Sequence, residues 1–94
     1  MNARALHIFV LNVPEFATLT QTAREMASCR VETTGDYTVI SSDVPIAFER
    51  RALGLKPAVW YGLFTGGLDG QIESYGRDTV RIAPRAGSAE SPGR

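Results

Sequence analysis

Cysteine and histidine each occur once in this sequence of 94 residues. With Cys29 alone, the chain cannot form an internal disulfide, and it lacks the group of thiolates that a structural zinc site requires. With His7 alone, it also lacks the ligands of a multi-histidine metal site. We therefore expect neither a metal ion nor another cofactor.

The sequence also lacks a net charge and a long apolar run. Its ten basic and ten acidic side chains cancel, so the positive field that phosphate binding generally needs is missing and nucleic-acid binding is disfavoured. No apolar run approaches the roughly 20 residues of a membrane helix. The apolar stretch near the N-terminus contains His7 and is broken by Asn12 and Pro14, which favours a strand over a signal peptide. We expect a cytoplasmic protein with no membrane partner.

The remaining composition is that of a small globular domain, with 44% apolar and 21% charged residues. We predict a single α+β domain over residues 1–83 and a disordered C-terminal tail over 84–94, where the residues are small, polar and proline-bearing. A chain this short buries only about 60–65% of its unfolded surface. Small domains often gain stability by association, which favours a homo-oligomer.

In the first half of the chain, the hydrophobic pattern changes from strand to helix and back. Residues 5–12 are apolar on both alternating faces, which predicts a strand covered on two sides. Pro14 ends this strand and opens a helix whose apolar residues recur every three or four positions. Gly35 and Asp36 separate two β-rich runs within residues 30–42 and predict a hairpin.

A second helix is predicted after this hairpin. Ser42 and Asp43 supply side-chain acceptors at its start, and Pro45 fits its first turn. Gly54 suits a left-handed cap at its end, and Pro57 blocks continuation.

The stretch 58–82 holds four of the eight aromatic residues and five of the nine glycines. Alternating side chains with turns at Asp69-Gly70 and at 76–78 predict an antiparallel meander. One face would pack on the core: Tyr61, Leu63, Ile72, Val80 and Ile82. The other face would carry aromatic and charged residues: Trp60, Phe64, Tyr75, Gln71, Glu73 and Arg81. A shift of the register by one residue would exchange the two faces.

The order strand, helix, strand, strand, helix, strand matches the ferredoxin-like, or split βαβ, two-layer sandwich. We predict this fold with a C-terminal β-meander extension, four to six strands and two helices on one sheet face. The other face would then lie open, and an aromatic surface there is large enough to indicate a binding partner.

The candidate ligand or interface residues are Trp60, Phe64, Tyr75, Glu73, Arg81 and His7. None is assigned a catalytic role. They predict a small binding or interaction protein, homodimeric through the aromatic sheet face, with room for a small apolar or aromatic ligand. An alternative is a cofactor-poor enzyme of the dimeric ferredoxin-like type that acts on a hydrophobic substrate, with His7, Glu73 or Arg81 as its polar groups.

A second alternative is single-stranded nucleic-acid binding. The run IFVLNV over residues 8–13 opens a strand that precedes a helix, and it resembles the shorter ribonucleoprotein motif of RNA-recognition motif domains. The resemblance implies that Phe9 lies on an RNA-facing sheet surface. The longer motif of that family is absent from the third strand, where DYTVISS stands, and the neutral charge also counts against this function.

Overall fold

The computed structural model describes residues 5–85, which form two antiparallel sheets and three short α-helices. The strands are β1 (Leu6–Leu11), β2 (Cys29–Thr34), β3 (Tyr37–Ser42), β4 (Ile46–Glu49), β5 (Leu68–Asp69), β6 (Gln71–Tyr75) and β7 (Thr79–Ala83). The helices are α1 (Ala17–Glu25), α2 (Arg50–Leu53) and α3 (Pro57–Trp60), and a 3-10 turn (Pro14–Phe16) precedes α1. Within residues 5–85, no helix has the length and apolar character needed to cross a membrane.

The first sheet has the strand order β2-β3-β1-β5 and packs one face on α1. Leu6, Ile8 and Val10 of β1 are buried on this inner face, where they share the core with Leu19 and Ala23 of α1. The predicted first strand and first helix are therefore confirmed in kind, but the helix is shorter than expected: it ends at Glu25, and Cys29 and Arg30 already belong to β2. Helical spacing of apolar residues brings one stripe of α1 onto the sheet, as the sequence pattern indicates.

The prediction that β1 is covered on both faces is wrong. His7 and Phe9 on its outer face are only half-buried, and Leu11 is 38% exposed. The reason is that α1 covers the inner face alone, so the second apolar row of β1 is left at the surface.

The hairpin predicted at Gly35-Asp36 is confirmed. These two residues join β2 to β3, and Thr34 pairs with Tyr37 directly beside the turn. Gly35 has a φ of +60°, a left-handed conformation that glycine adopts without a steric penalty.

The predicted start of the second helix is wrong, because residues 46–49 form strand β4 instead. Ile46 and Phe48 alternate with exposed neighbours and are buried against β7, a period of two that belongs to a strand. Ser42 does accept a backbone hydrogen bond, from the N–H of Val44 at 3.2 Å, but this closes a turn rather than a helix. Helix α2 is one turn long and ends as predicted at Gly54, which has a φ of +70°.

The predicted meander is correct only in its second half. Residues 57–60 are helical, with Pro57 in the first turn of α3, so the strand expected around Trp60 is wrong. The 76–78 loop does join β6 to β7, and Ile72 pairs with Ile82 as predicted. A bulge between residues 72 and 74 then shifts the register, so that Tyr75 lies opposite Val80.

The second sheet has the strand order β4-β7-β6, and none of these strands pairs with a strand of the first sheet. The α+β class is confirmed, whereas the ferredoxin-like topology and the count of four to six strands are not. One hydrophobic cluster joins both sheets: Leu6, Ile8, Val10, Leu19, Ala23, Ile40, Ile46, Phe48, Leu53, Leu55, Trp60, Leu63, Val80 and Ile82. The tail predicted for 84–94 lies outside the described residues, except for Pro84 and Arg85.

Candidate functional site

The six candidate residues lie in three separate places. Trp60, Phe64 and Tyr75 meet in one aromatic cluster, together with Tyr61. Glu73 and Arg81 form an ion pair on the second sheet, and His7 belongs to the first sheet. They do not form one surface.

The aromatic cluster is centred on Tyr75. Its ring centroid lies 5.8 Å from that of Trp60, 5.3 Å from Phe64 and 5.7 Å from Tyr61. Trp60 is fully buried, and its indole Nε1 donates a 2.8 Å hydrogen bond to the carbonyl oxygen of Gly76. The expected exposed face with Trp60 is therefore wrong, because the helical turn at α3 directs this ring into the core.

The Tyr75 hydroxyl donates a hydrogen bond to the backbone carbonyl of Trp60. Burial raises the pKa of this hydroxyl above its usual value, an effect that a backbone hydrogen bond at Leu63 opposes and the neighbouring Tyr61 reinforces. The polar side-chain groups of Trp60 and Tyr75 are thus both hydrogen-bonded.

Glu73 and Arg81 contact each other at the surface. Arg81 Nε donates a 2.7 Å hydrogen bond to Glu73 Oε1, and both side chains are exposed. Exposed ion pairs of this kind contribute roughly 0.2–1 kcal/mol to the free energy of unfolding. Within residues 5–85 this pair lines none of the three clefts described below.

His7 has an acidic neighbour that sequence reasoning missed. It lies opposite Asp69 in the pairing of β1 with β5, with Nδ1 3.7 Å from Asp69 Oδ2. Arg85 contacts the same carboxylate, with Nε 3.2 Å from Oδ1. The pairing of β1 with β5 spans some sixty positions in the chain, and no local pattern predicts it.

The outer face of the first sheet carries a row of apolar and aromatic side chains, which we call the open face: His7, Phe9, Leu11, Tyr37 and Val39. Phe9 lies opposite Val39, and Leu11 lies opposite Tyr37. Leu11 is 38% exposed and Tyr37 is 42% exposed, whereas Phe9 and Val39 are half-buried. The alternation of residues along β3 is the sequence signal that places Tyr37 and Val39 on this face.

The loop before β5 fixes one border of the open face. Phe9 donates a 3.0 Å backbone hydrogen bond to the carbonyl of Gly67. A Cβ atom on Gly66 would lie 2.2 Å from the carbonyl oxygen of Phe9 and 3.4 Å from Cε1 of Tyr37. The chain can therefore pass this close to β1 only with glycine at position 66.

Three of the clefts within residues 5–85 have volumes between about 270 and 370 Å³. A groove of about 350 Å³ has mostly apolar walls: Leu11, Val13, Glu15, Phe16, Ala58, Val59, Gly62 and Thr65. A mixed cleft of about 370 Å³ lies between α1 and the ends of β1, β2 and β3, and includes Arg24. A charged cleft of about 270 Å³ lies beside Glu49, Arg51 and Asp78. His7, Glu73 and Arg81 line none of the three.

Among residues 5–85, no three histidine, cysteine or acidic side chains are placed to hold a metal ion together. Burial raises the pKa of the Cys29 thiol, although a hydrogen bond at Ser28 and the charge of Arg30 oppose the shift. A thiol with a raised pKa is a weaker nucleophile at neutral pH.

No protein-family model matches this sequence, and a search of curated proteins found no significant match.

Proposed function

We propose that this protein is a small interaction module without enzymatic activity that acts as a homodimer, and that the open face is the surface it buries. The observation that supports this function is the row of half-exposed apolar side chains on the side of the first sheet that faces away from α1. Leu11 and Tyr37, at one end of the row, keep 38% and 42% of their surface exposed. Contiguous apolar patches of this kind typically mark contact sites.

The groove beside α3 extends this apolar surface. It begins at Leu11, which belongs to both the open face and the groove, and continues over Val13 and Phe16 to Val59. A contact between identical copies needs protruding and concave parts on one patch. Here the exposed part of the row includes Tyr37, and the concave part is the groove, which is also large enough for a small apolar or aromatic ligand.

A second copy of the chain suits this surface better than a highly charged partner does. The chain carries no net charge, so two copies do not repel each other over long range. The charges that border the open face are also balanced, with Arg30 and Arg85 against Glu32 and Asp69. The nine residues that follow Arg85 contain no leucine, isoleucine, valine or aromatic residue, and so offer little apolar surface to cover the row.

The test is the oligomeric mass of variants with a charge placed in the open face. We expect wild-type protein to sediment above the monomer mass at micromolar concentration, and Leu11→Arg or Tyr37→Arg to lower that mass. Val44→Arg is the matched control, because Val44 is 47% exposed in the turn between β3 and β4, away from the open face. An unchanged mass in both open-face variants contradicts the proposal.

One observation favours nucleic-acid binding as an alternative. Phe9 is on the outer face of β1, an inner strand of its sheet, where a stacked base would contact it. Under this alternative, a labelled single-stranded RNA should gain anisotropy at low salt with wild type and less with Phe9→Ala. If neither protein raises the anisotropy of the RNA, nucleic-acid binding is excluded.

The carboxylate of Asp69, which lies beside His7, favours the enzyme alternative. An acidic partner orients an imidazole in many catalytic sites. Under this alternative, hydrolysis of a hydrophobic ester should be faster with wild type than with His7→Ala. Equal rates would exclude this chemistry.

A further inference from the structure

Within residues 5–85, strand β2 forms one edge of the first sheet. Of the four edge strands in residues 5–85, β2 is the longest, with six residues in regular register with β3. The other three are shorter, since β4 has four residues, β5 has two, and β6 has five and contains a bulge. A long and regular edge is a template for pairing with another strand.

The hairpin turn determines which backbone groups of β2 point outward. In a two-residue hairpin, the pair beside the turn, here Thr34 and Tyr37, exchanges both of its hydrogen bonds. Because this pattern alternates, the backbone groups of Cys29, Val31 and Thr33 point away from β3. The Cys29 N–H is consistent with this, since it bonds to the carbonyl of Met26 at 3.0 Å rather than to β3.

The side chains of β2 favour a second copy of the same strand as the partner. Arg30 and Glu32 both project from the outer face, two positions apart on either side of Val31. If two β2 strands pair antiparallel about Val31, each Arg30 lies opposite Glu32 of the other copy. Both pairs would occupy the non-hydrogen-bonded positions, where side chains approach most closely.

Neighbouring registers lose this match. Pairing centred on Glu32 places the two Glu32 side chains against each other, and pairing centred on Arg30 does the same with arginine. Pairing centred on Thr33 places Glu32 opposite Thr34. Like charges directly opposite one another destabilise a sheet, so the charges select the register about Val31.

We infer that the β2 edge is a second self-association site, at which two copies join their first sheets through antiparallel β2 strands centred on Val31. The pairing uses a different surface from the open face and does not depend on the proposed function. The two open faces would continue across the junction as one surface. If both contacts form, the chain assembles beyond the dimer.

Charge reversal tests this register. The experiment uses Leu11→Arg as the parent, so that the open-face contact is removed and only the edge contact can hold a dimer. In this parent, Arg30→Glu or Glu32→Arg should raise the dimer dissociation constant by at least about tenfold, because two attractive pairs become repulsive. The double variant Arg30→Glu/Glu32→Arg should restore the parent value, because the charges are exchanged and again opposite.

Asp43→Asn is the control for the charge reversals. Arg30 also contacts Asp43 within its own chain, at 3.3 Å, and that contact is lost in Arg30→Glu. The control should leave the dissociation constant unchanged. If Leu11→Arg is monomeric, the inference is wrong. It is also wrong if the double variant does not return to the dissociation constant of Leu11→Arg.

A disulfide provides a second test that works in the wild-type background. The register about Val31 places Cys29 opposite residue 33 of the other copy, with Cα atoms about 5.5 Å apart. Within one strand, residues 29 and 33 are about 13 Å apart and cannot be bridged. Thr33→Cys treated with oxidised glutathione should therefore yield a covalent dimer.

Two controls define this result. Thr34→Cys should not crosslink to Cys29, because residue 34 projects from the opposite face and lies out of reach. Thr33→Cys/Cys29→Ser should also stay monomeric on a non-reducing gel. Equal crosslinking at positions 33 and 34, or none at 33, contradicts the register.

Discussion

The Tyr75 hydroxyl donates a hydrogen bond to the backbone carbonyl of Trp60, and the two rings meet edge to face with their centroids 5.8 Å apart. The indole of Trp60 in turn donates to the carbonyl of Gly76, at the start of the loop between β6 and β7. These bonds connect α3 to the β6–β7 hairpin. The aromatic residues of this region therefore hold two parts of the fold together.

The first prediction concerns the Tyr75 hydroxyl. We expect Tyr75→Phe to lower the free energy of unfolding by about 1 kcal/mol, the typical net contribution of one hydrogen bond. The loss of stability stays small because the Trp60 carbonyl still accepts a hydrogen bond from the Leu63 N–H at 3.2 Å. Tyr61→Phe is the control, since that ring also contacts Tyr75 but is 55% exposed, and it should change little. Denaturant titrations of the three proteins measure the difference.

The second prediction concerns alkaline pH. Burial raises the pKa of Tyr75 in the folded protein, whereas a tyrosine in the unfolded chain titrates near pH 10. Above about pH 10 the unfolded state releases this proton first, so the folded state binds more protons and stability falls as the pH rises. Below that pH the contribution of Tyr75 is fully present.

Tyr75→Phe removes this titration and leaves Tyr37 and Tyr61 in place. Its stability should therefore decline less steeply than that of wild type as the pH rises above about 10. Denaturant midpoints measured over this range give both slopes. Parallel slopes for the two proteins would contradict the account.

The third prediction concerns the close approach at Gly66. We expect Gly66→Ala to destabilise the fold by more than about 1 kcal/mol, because its methyl group would lie 2.2 Å from the Phe9 carbonyl oxygen and the loop must move. Gly76→Ala is the control, since the nearest atom to its methyl would be the Thr79 carbonyl oxygen at 3.8 Å. Thermal unfolding of both variants distinguishes a local clash from a general effect of replacing glycine.

The fourth prediction concerns tryptophan fluorescence. Trp60 is fully buried within one chain, so its emission should be blue-shifted at every protein concentration. It should also be the same in wild type and Leu11→Arg. An emission that shifts to the red as the protein is diluted would show that a second copy, rather than the fold, shields Trp60.

The sequence predicted those elements whose signals are local. The strand from Leu6, helix α1, the hairpin at Gly35 and the cap at Gly54 each depend on residues a few positions apart, and the structure has all four. The β6–β7 hairpin was also predicted, but its register was correct only up to the bulge after Ile72. A bulge adds one residue to one strand, and the alternation of side chains does not reveal where it occurs.

The errors occurred where local patterns were ambiguous or contacts were distant. Residues 46–49 combine strand-favouring Ile46 and Phe48 with helix-favouring residues and follow a sequence typical of a helix start. Only their pairing with β7 determines the strand. Pro57 was interpreted as a stop for one helix, whereas it begins the next. The exposed row of β1 was expected to be covered because an apolar pattern reports hydrophobicity and not the number of layers that pack on it.

Sedimentation equilibrium tests most directly whether the chain self-associates through the open face. Wild type is compared with Leu11→Arg, and the comparison is repeated in proteins that also carry Arg30→Glu, which weakens the edge contact. In the unmodified background we expect Leu11→Arg to lower the weight-average mass to that of the edge-paired dimer. In the Arg30→Glu background we expect it to lower the mass from dimer to monomer. Val44→Arg should have no effect. If the Arg30→Glu protein is already monomeric and Leu11→Arg changes nothing further, the open face is not a self-association surface.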